Sequence, residues 1–119
     1  MHWASAVTAF FDAEVRMASL FAADTDAARS LVARALGTLA QDTQPGDRLR
    51  RTLHEFLDAQ GSYVAAAGRL HLRRNTVRYR VQRAVELRGR PIDKDRLELE
   101  IALGACRRLG RAVLASPRR

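Results

Sequence analysis

The chain contains few of the residues that mark secreted, membrane or β-rich proteins. Its 119 residues include a single cysteine, Cys106, which has no partner for an internal disulfide and fits a reducing compartment. Only three prolines and few β-branched runs argue against a sheet. No apolar run approaches the roughly 20 residues that span a bilayer, and no basic region precedes the apolar segment that starts at Trp3. We therefore expect a cytoplasmic protein with no signal peptide and no membrane partner.

The patterns of catalysis and metal binding are also missing. There is no glycine-rich phosphate loop, no nucleophile elbow and no paired histidine and acid at catalytic spacing. No cluster of histidines, cysteines or acids has metal-ligand spacing, so we interpret His54 as structural and Cys106 as a small core residue. We expect no enzymatic activity, no catalytic residue, no cofactor and no metal.

Alanine, leucine and arginine, in contrast, are abundant. Hydrophobic residues make up 47% of the chain, and a chain of this length can bury one small core. Apolar spacing and capping residues predict an all-α fold, a small bundle of five to six helices. The predicted helices are 4–21, 24–37, 48–60, 63–70, 74–88 and 96–115, with a surface loop at 41–46. Asp47 is predicted to cap the third helix and Asp93 or Asp95 the last, in which Leu97 should face inward.

The stretch 62–88 predicts a short helix, a tight turn and a second helix. His71 lies at the turn, where we expect a left-handed backbone that histidine tolerates better than most residues. One stripe of the second helix is formed by Val77, Val81, Ala84 and Arg88, and the opposite face by Asn75, Tyr79, Gln82 and Glu86. This layout is typical of a DNA-reading helix-turn-helix, whose second helix lies in the major groove.

The net charge is concentrated in the same stretch. Between Arg69 and Arg90 there are eight arginines and one acid, Glu86, which gives +7 in a chain whose total is +8. Such a concentration of basic side chains favours a polyanionic partner, because binding releases counterions from a phosphate backbone. Double-stranded DNA is the predicted partner.

Eight residues of the second helix and its entrance are predicted to contact DNA. Arginine pairs with guanine and asparagine with adenine, while the first-turn hydroxyl and the helix N-terminus suit a phosphate. Arg80 points nearer the buried side, about 60° from Val77, so we expect it to pair with Glu55 or Asp58. The predicted DNA-binding residues are Arg73, Arg74, Asn75, Thr76, Arg78, Tyr79, Gln82 and Arg83.

Two runs of residues carry a resemblance to a known family. The run LHLRRNTVRYRV at 70–81, followed by VELRGRPIDKDRLELEIAL at 85–103, resembles the C-terminal DNA-binding domain of PucR-type bacterial transcriptional regulators. The family carries an RNTVRYR signature, which this chain matches at 74–80, and its helix-turn-helix is similar to that of the Fis nucleoid protein. Where the family usually has a histidine before the Arg-Asn pair, this chain has Arg73, which adds a charge at the helix entrance. The resemblance spans roughly 24–109.

The resemblance implies the output domain of a bacterial regulator that binds specific DNA sequences. A homodimer is the expected working unit, because one helix-turn-helix buries little DNA. We divide the chain into an N-terminal helix, linker or dimerisation segment at 1–22, a helix-turn-helix DNA-binding domain at 23–115 and a tail at 116–119. In PucR-like proteins the first segment joins an upstream regulatory domain, which implies that this chain is a fragment or a truncated relative. Two alternatives stay open: a nucleoid-associated architectural protein of low sequence specificity, and a protein-interaction module, for example one that docks on RNA polymerase.

Overall fold

The computed structural model describes Arg16 and residues 24–117, and the second of these parts is a bundle of helices. Its α-helices are α1 (Thr25–Leu36), α2 (Gln44–Asp58), α3 (Tyr63–Leu70), α4 (Arg74–Arg88) and α5 (Arg96–Leu109), with short 3₁₀ turns at Gly37–Ala40, Ile92–Lys94 and Gly110–Ala112. The predicted all-α bundle that contains a helix-turn-helix is confirmed. The helix predicted at 4–21 lies outside the described residues apart from Arg16.

The first described helix begins and ends where its capping residues predict. The Asp24 carboxylate accepts a hydrogen bond from the Ala27 N–H at 3.0 Å, and Gly37 ends the helix with a φ of 53°. A Cβ on Gly37 would lie 3.2 Å from the carbonyl oxygen of Arg88. Glycine therefore allows the end of α1 to approach the end of α4 closely.

The predicted start of α2 is wrong by four residues. The helix begins at Gln44, within the predicted loop at 41–46, because Thr43 and not Asp47 caps it: the Thr43 hydroxyl accepts a hydrogen bond from the Gly46 N–H at 3.0 Å. Pro45 lies in the first turn, where a backbone N–H has no partner within the helix and its absence costs little. The helix ends at Asp58, two residues earlier than predicted.

The last helix is shorter than predicted and buries a different stripe. It ends at Leu109 and not at Ala115, because Gly110 takes a φ of 54° and the chain turns. Leu97, predicted to face inward, is 71% exposed, while Leu99 is fully buried. These two positions are about 160° apart on a helix, so only one of them can face the core.

The core lies between the helices and is formed by alanines, leucines and valines from all five of them. Helix α1 packs against α5, and α2 packs against α4. Ala66 and Ala67 of α3 are buried, and their small side chains allow a neighbouring helix to pack closely. None of the helices in the described part of the chain is long and apolar enough to cross a membrane.

Candidate nucleic-acid interface

The turn between α3 and α4 has the predicted geometry. The Ser62 hydroxyl accepts a hydrogen bond from the Ala65 N–H at 3.1 Å and so caps α3. His71 ends that helix with φ 55° and ψ 42°, which confirms the predicted left-handed backbone. The N–H of Leu72 then donates to the Ala67 carbonyl at 3.0 Å, and the Leu72 side chain packs on the core. The chain therefore reverses within a few residues and enters α4.

The inner stripe of α4 matches the prediction. Val77, Val81 and Ala84 are buried among the side chains of the core, and Arg88 is also buried. Because these residues fix one side of the helix to the bundle, the other side faces outward along its whole length.

The eight residues predicted to contact DNA lie along this outer side and at the entrance of α4. Arg73 takes the N-cap position with an extended backbone, and its side chain makes no capping hydrogen bond. Among the described residues, no side chain accepts a hydrogen bond from the first-turn N–H groups. Thr76 is half-buried and Tyr79 is 65% exposed. The remaining six are exposed: Arg73, Arg74, Asn75, Arg78, Gln82 and Arg83.

Two of these arginines have partners on the protein surface. The guanidinium of Arg78 lies over the ring of Tyr63, with its central carbon 5.3 Å from the ring centroid. Arg83 pairs with Glu86, one turn away on α4, at 3.1 Å. Both side chains of that pair are about half-exposed or more, so the ion pair is weak and can open for another anion.

The predicted partner of Arg80 is wrong. Glu55 pairs instead with Arg69 of α3, with 3.5 Å between Nη1 and Oε1, and no ion pair joins Arg80 to Glu55 or Asp58. Arg69 reaches this acid because α3 packs directly beside α2. Arg80 is half-buried, in agreement with its predicted position near the inner side.

The charge of the stretch is divided between the surface and the interior. Arg88 has a side chain with no exposed surface and donates to the carbonyl oxygens of Ala35 at 2.6 Å, Arg90 at 3.1 Å and Pro91 at 2.9 Å. It also donates to a carboxylate oxygen of Asp95. The charge count from the sequence includes Arg88 among the basic residues available to DNA, but its guanidinium binds acceptors inside the domain. The position of Arg88 on the apolar stripe of α4 indicated that it would be buried.

Asp95 completes the same cluster. It was predicted as a possible cap for α5, but its side chain makes no capping bond and faces Arg88 and Arg90, the latter at 3.0 Å. The hydrogen bond from Arg88 holds the pKa of Asp95 below its usual value of 3.8, although partial burial acts in the opposite direction. Arg90 further donates to the carbonyl oxygen of Arg34. The cluster thus joins the ends of α1 and α4 to the start of α5.

A second buried arginine was not predicted. Arg50 of α2 is 5% exposed and donates from Nη1 to the carbonyl oxygens of Leu39 and Gln41, both at 2.8 Å. A Cβ on Gly46 would lie 2.9 Å from that nitrogen, so a glycine is needed there for the guanidinium to fit. The sequence offers a weak signal, since Arg50 follows Leu49 beside the apolar stripe of its helix.

The two residues interpreted as structural belong to α2 and α5. Cys106 is buried in the core, and burial raises the pKa of its thiol to about 11. His54 is half-buried on α2 and lines a groove of about 820 Å³ between α2, α3 and α5. Within the described part of the chain, no group of three or more histidines, cysteines or acids is placed to hold a metal ion.

Comparison with protein families finds a match for the part of the chain that contains the helix-turn-helix. Residues 49–105 match the family described as the PucR C-terminal helix-turn-helix domain, a narrower span than the resemblance seen at 24–109. A comparison with curated proteins and one with solved structures returned no match. The matched residues include about two thirds of α2, the turn between α3 and α4, and most of α5. Residues 49–105 therefore form a PucR-type helix-turn-helix domain, which is a DNA-binding regulatory fold.

Proposed function

We propose that this chain is the sequence-specific DNA-binding output domain of a bacterial PucR-like transcriptional regulator, with 23–115 as the DNA-binding unit. The observation that carries the proposal is the two-sided character of α4. Its inner stripe is held in the core, while its entrance and outer side present arginines, the only asparagine of the chain, a glutamine and a tyrosine. A helix fixed in this way can enter the major groove as a rigid body.

The entrance of α4 supplies groups for both phosphates and bases. The uncapped first-turn N–H groups and the positive end of the helix dipole suit a phosphate oxygen, and Thr76 adds a hydroxyl beside them. In the proposal, Arg73 and Arg74 donate to guanine O6 and N7 or to phosphate. Asn75 makes a two-point contact with adenine N6 and N7.

Further along α4, the exposed side chains have longer reach. Arg78, Tyr79 and Gln82 are placed to touch base edges or flanking phosphates in the proposal. Arg83 is assigned to a phosphate, because it lies at the far end of the exposed face and already forms an ion pair with the carboxylate of Glu86. Arginine suits both tasks because its planar fork donates several hydrogen bonds at once.

The working unit is proposed to be a homodimer. One helix-turn-helix contacts a short site, and the common solution is a dimer on two half-sites related by a two-fold axis. The candidate interface is the segment 1–22. Sedimentation equilibrium with and without this segment tests the assignment. A dimer that persists after removal of 1–22 would reject it as the interface, and a monomer at high concentration would reject the homodimer.

A random-duplex selection at two salt concentrations tests base reading. The wild type is run beside Asn75→Ala, with Gln44→Ala, an exposed amide at the start of α2, as the matched control. We expect the wild type and the control to select a compact, roughly palindromic motif. Asn75→Ala should lose about 1–3 kcal/mol of discrimination at one position of each half-site.

The same selection separates the alternative functions. Enrichment without a motif, lost steeply as salt rises, would favour the architectural protein of low specificity. Failure of the wild type to retain any duplex would favour a protein-interaction module, for which RNA polymerase is the candidate partner to test.

A further inference from the structure

We propose that Tyr63, on the first helix of the motif, is a positioning residue for DNA binding that acts through Arg78. The inference rests on the proposed function and names a residue outside the reading helix. Three side chains from three helices carry it: Phe56 of α2, Tyr63 of α3 and Arg78 of α4. The rings of Phe56 and Tyr63 stack with centroids 4.7 Å apart and planes inclined by 27°. The guanidinium carbon of Arg78 lies over the Tyr63 ring, 5.3 Å from its centroid.

The order of burial along this series makes Tyr63 a fixed platform. Phe56 is buried in the core, Tyr63 is half-buried and Arg78 is exposed. Phe56 and Arg78 both contact the ring of Tyr63, Phe56 from the core and Arg78 from the surface. Phe56 is fixed by the core, and stacking on Phe56 fixes the ring of Tyr63. The position of that ring in turn determines where the guanidinium of Arg78 lies.

Stacking leaves the hydrogen-bonding capacity of Arg78 unused. The ring attracts the flat face of the guanidinium, whereas all of its N–H donors point outward in the guanidinium plane. In the described part of the chain, Arg78 makes no hydrogen bond or ion pair, whereas Arg83 pairs with Glu86 and Arg69 with Glu55. Arg78 is thus an arginine of the exposed face that is held in place with its donors free.

Holding the side chain in place before contact has a direct consequence for affinity. A long arginine side chain loses rotamer freedom when it binds a phosphate or a base edge, and this loss opposes binding. An arginine already held against a ring has less freedom to lose. Tyr63 should therefore strengthen DNA binding without touching the DNA.

A double-mutant cycle on positions 63 and 78 tests the proposal. Dissociation constants for a random-sequence duplex at fixed low salt are measured for wild type, Tyr63→Leu, Arg78→Ala and the double variant, with urea unfolding as a check on folding. We expect Tyr63→Leu to weaken binding about two- to fivefold, the range set by an exposed cation–π contact. Tyr63→Phe, which keeps the ring, should bind as the wild type does. The double variant should bind no more weakly than Arg78→Ala.

Equal weakening by Tyr63→Leu in the presence and absence of Arg78 would overturn the proposal, as would wild-type affinity in Tyr63→Leu. Should Tyr63→Leu fail to fold, a series from phenylalanine to increasingly fluorinated phenylalanines at position 63 keeps the shape and weakens the attraction for a cation. Affinity should then fall with fluorination, and an unchanged affinity would overturn the proposal.

The double-mutant cycle and the random-duplex selection test different claims, so a negative result in one can be told apart from a negative result in the other. Selection without a motif, together with a coupled cycle, would reject base reading and retain the role of Tyr63. A clear motif with an uncoupled cycle would do the reverse. A wild type that binds no duplex at all would reject the proposed function and, with it, the role of Tyr63.

Discussion

Arg83 and Arg88 lie on the same helix, yet their guanidinium groups meet opposite surroundings. Arg83 is half-exposed and shares an ion pair with an exposed carboxylate, while the side chain of Arg88 has no exposed surface and four hydrogen-bond acceptors around it. Arg50 belongs with Arg88, because it too is buried and bound to backbone carbonyls. The surface set, in contrast, consists of Arg73, Arg74, Arg78 and Arg83.

The comparison shows that net charge does not measure the charge available to a partner. A buried guanidinium that donates to carbonyl oxygens and a carboxylate stabilises the fold, and it cannot reach a phosphate. An exposed one adds little to stability and remains free to release counterions from DNA. Substitutions of the buried arginines should therefore lower the unfolding free energy, whereas substitutions of the exposed arginines should weaken DNA binding.

Arg88→Met should have the largest effect of these substitutions on stability. It removes the donor of three carbonyl groups and of Asp95, and leaves a carboxylate with its main partner gone. The expected loss is about 3–5 kcal/mol of unfolding free energy, as for other broken buried pairs. Urea unfolding measures it, with Arg48→Met, an exposed arginine of α2, as the matched control. A loss no larger than in the control would show that the cluster does not hold the bundle.

Arg50→Met should cost less, about 1–3 kcal/mol, because within the described part of the chain Arg50 has hydrogen bonds to carbonyl groups and no ion pair with a carboxylate. The Leu39 carbonyl would lose a charged donor, whereas that of Gln41 keeps the N–H of Thr43 at 3.0 Å. The same urea experiment applies. An unfolding free energy equal to that of Arg48→Met would contradict the role of Arg50.

Acid should weaken the same cluster more gently than Arg88→Met does, since the carbonyl contacts remain. The folded pKa of Asp95 is lowered, so its contribution is complete well above 3.8 and is lost as the pH falls through 3.8 toward the folded pKa. The difference in unfolding free energy between wild type and Asp95→Asn should therefore shrink as the pH is lowered. A constant difference between neutral pH and about pH 3 would contradict this assignment.

Arg83→Ala should leave stability almost unchanged and reduce DNA binding uniformly. Loss of one phosphate contact should lower the slope of log affinity against log salt by about 1, equally for all duplex sequences. Affinities at several salt concentrations measure this, with Arg48→Ala as the control outside the motif. Selective loss for one sequence would assign Arg83 to a base instead.

The predictions that succeeded rest on local signals. Helix α4 begins and ends where predicted, because Gly89 takes a left-handed φ of 82° and the apolar stripe of Val77, Val81 and Ala84 has a clear helical period. The turn at His71 is equally local. The helix-turn-helix, its register and its outward face could therefore be predicted from neighbouring residues alone.

The predictions that failed depend on two residues with similar capping tendency or on contacts between residues that are far apart in the sequence. Thr43 and Asp47 are both good caps, and the sequence does not decide which one starts α2. The partners of Arg88 include the carbonyl of Ala35, which lies on a different helix. Glu55 pairs with Arg69 of α3 and not with Arg80 of α4. Such contacts exist only after the helices have packed, so composition counts the charge but does not locate it.

The most direct test of the division between the two sets of arginines is an NMR titration that follows each arginine Nε–H signal as a DNA duplex is added. We expect the signals of Arg73, Arg74, Arg78 and Arg83 to shift on binding while those of Arg50 and Arg88 stay in place. Shifts at Arg50 and Arg88, with the signals along the outer side of α4 unchanged, would contradict it.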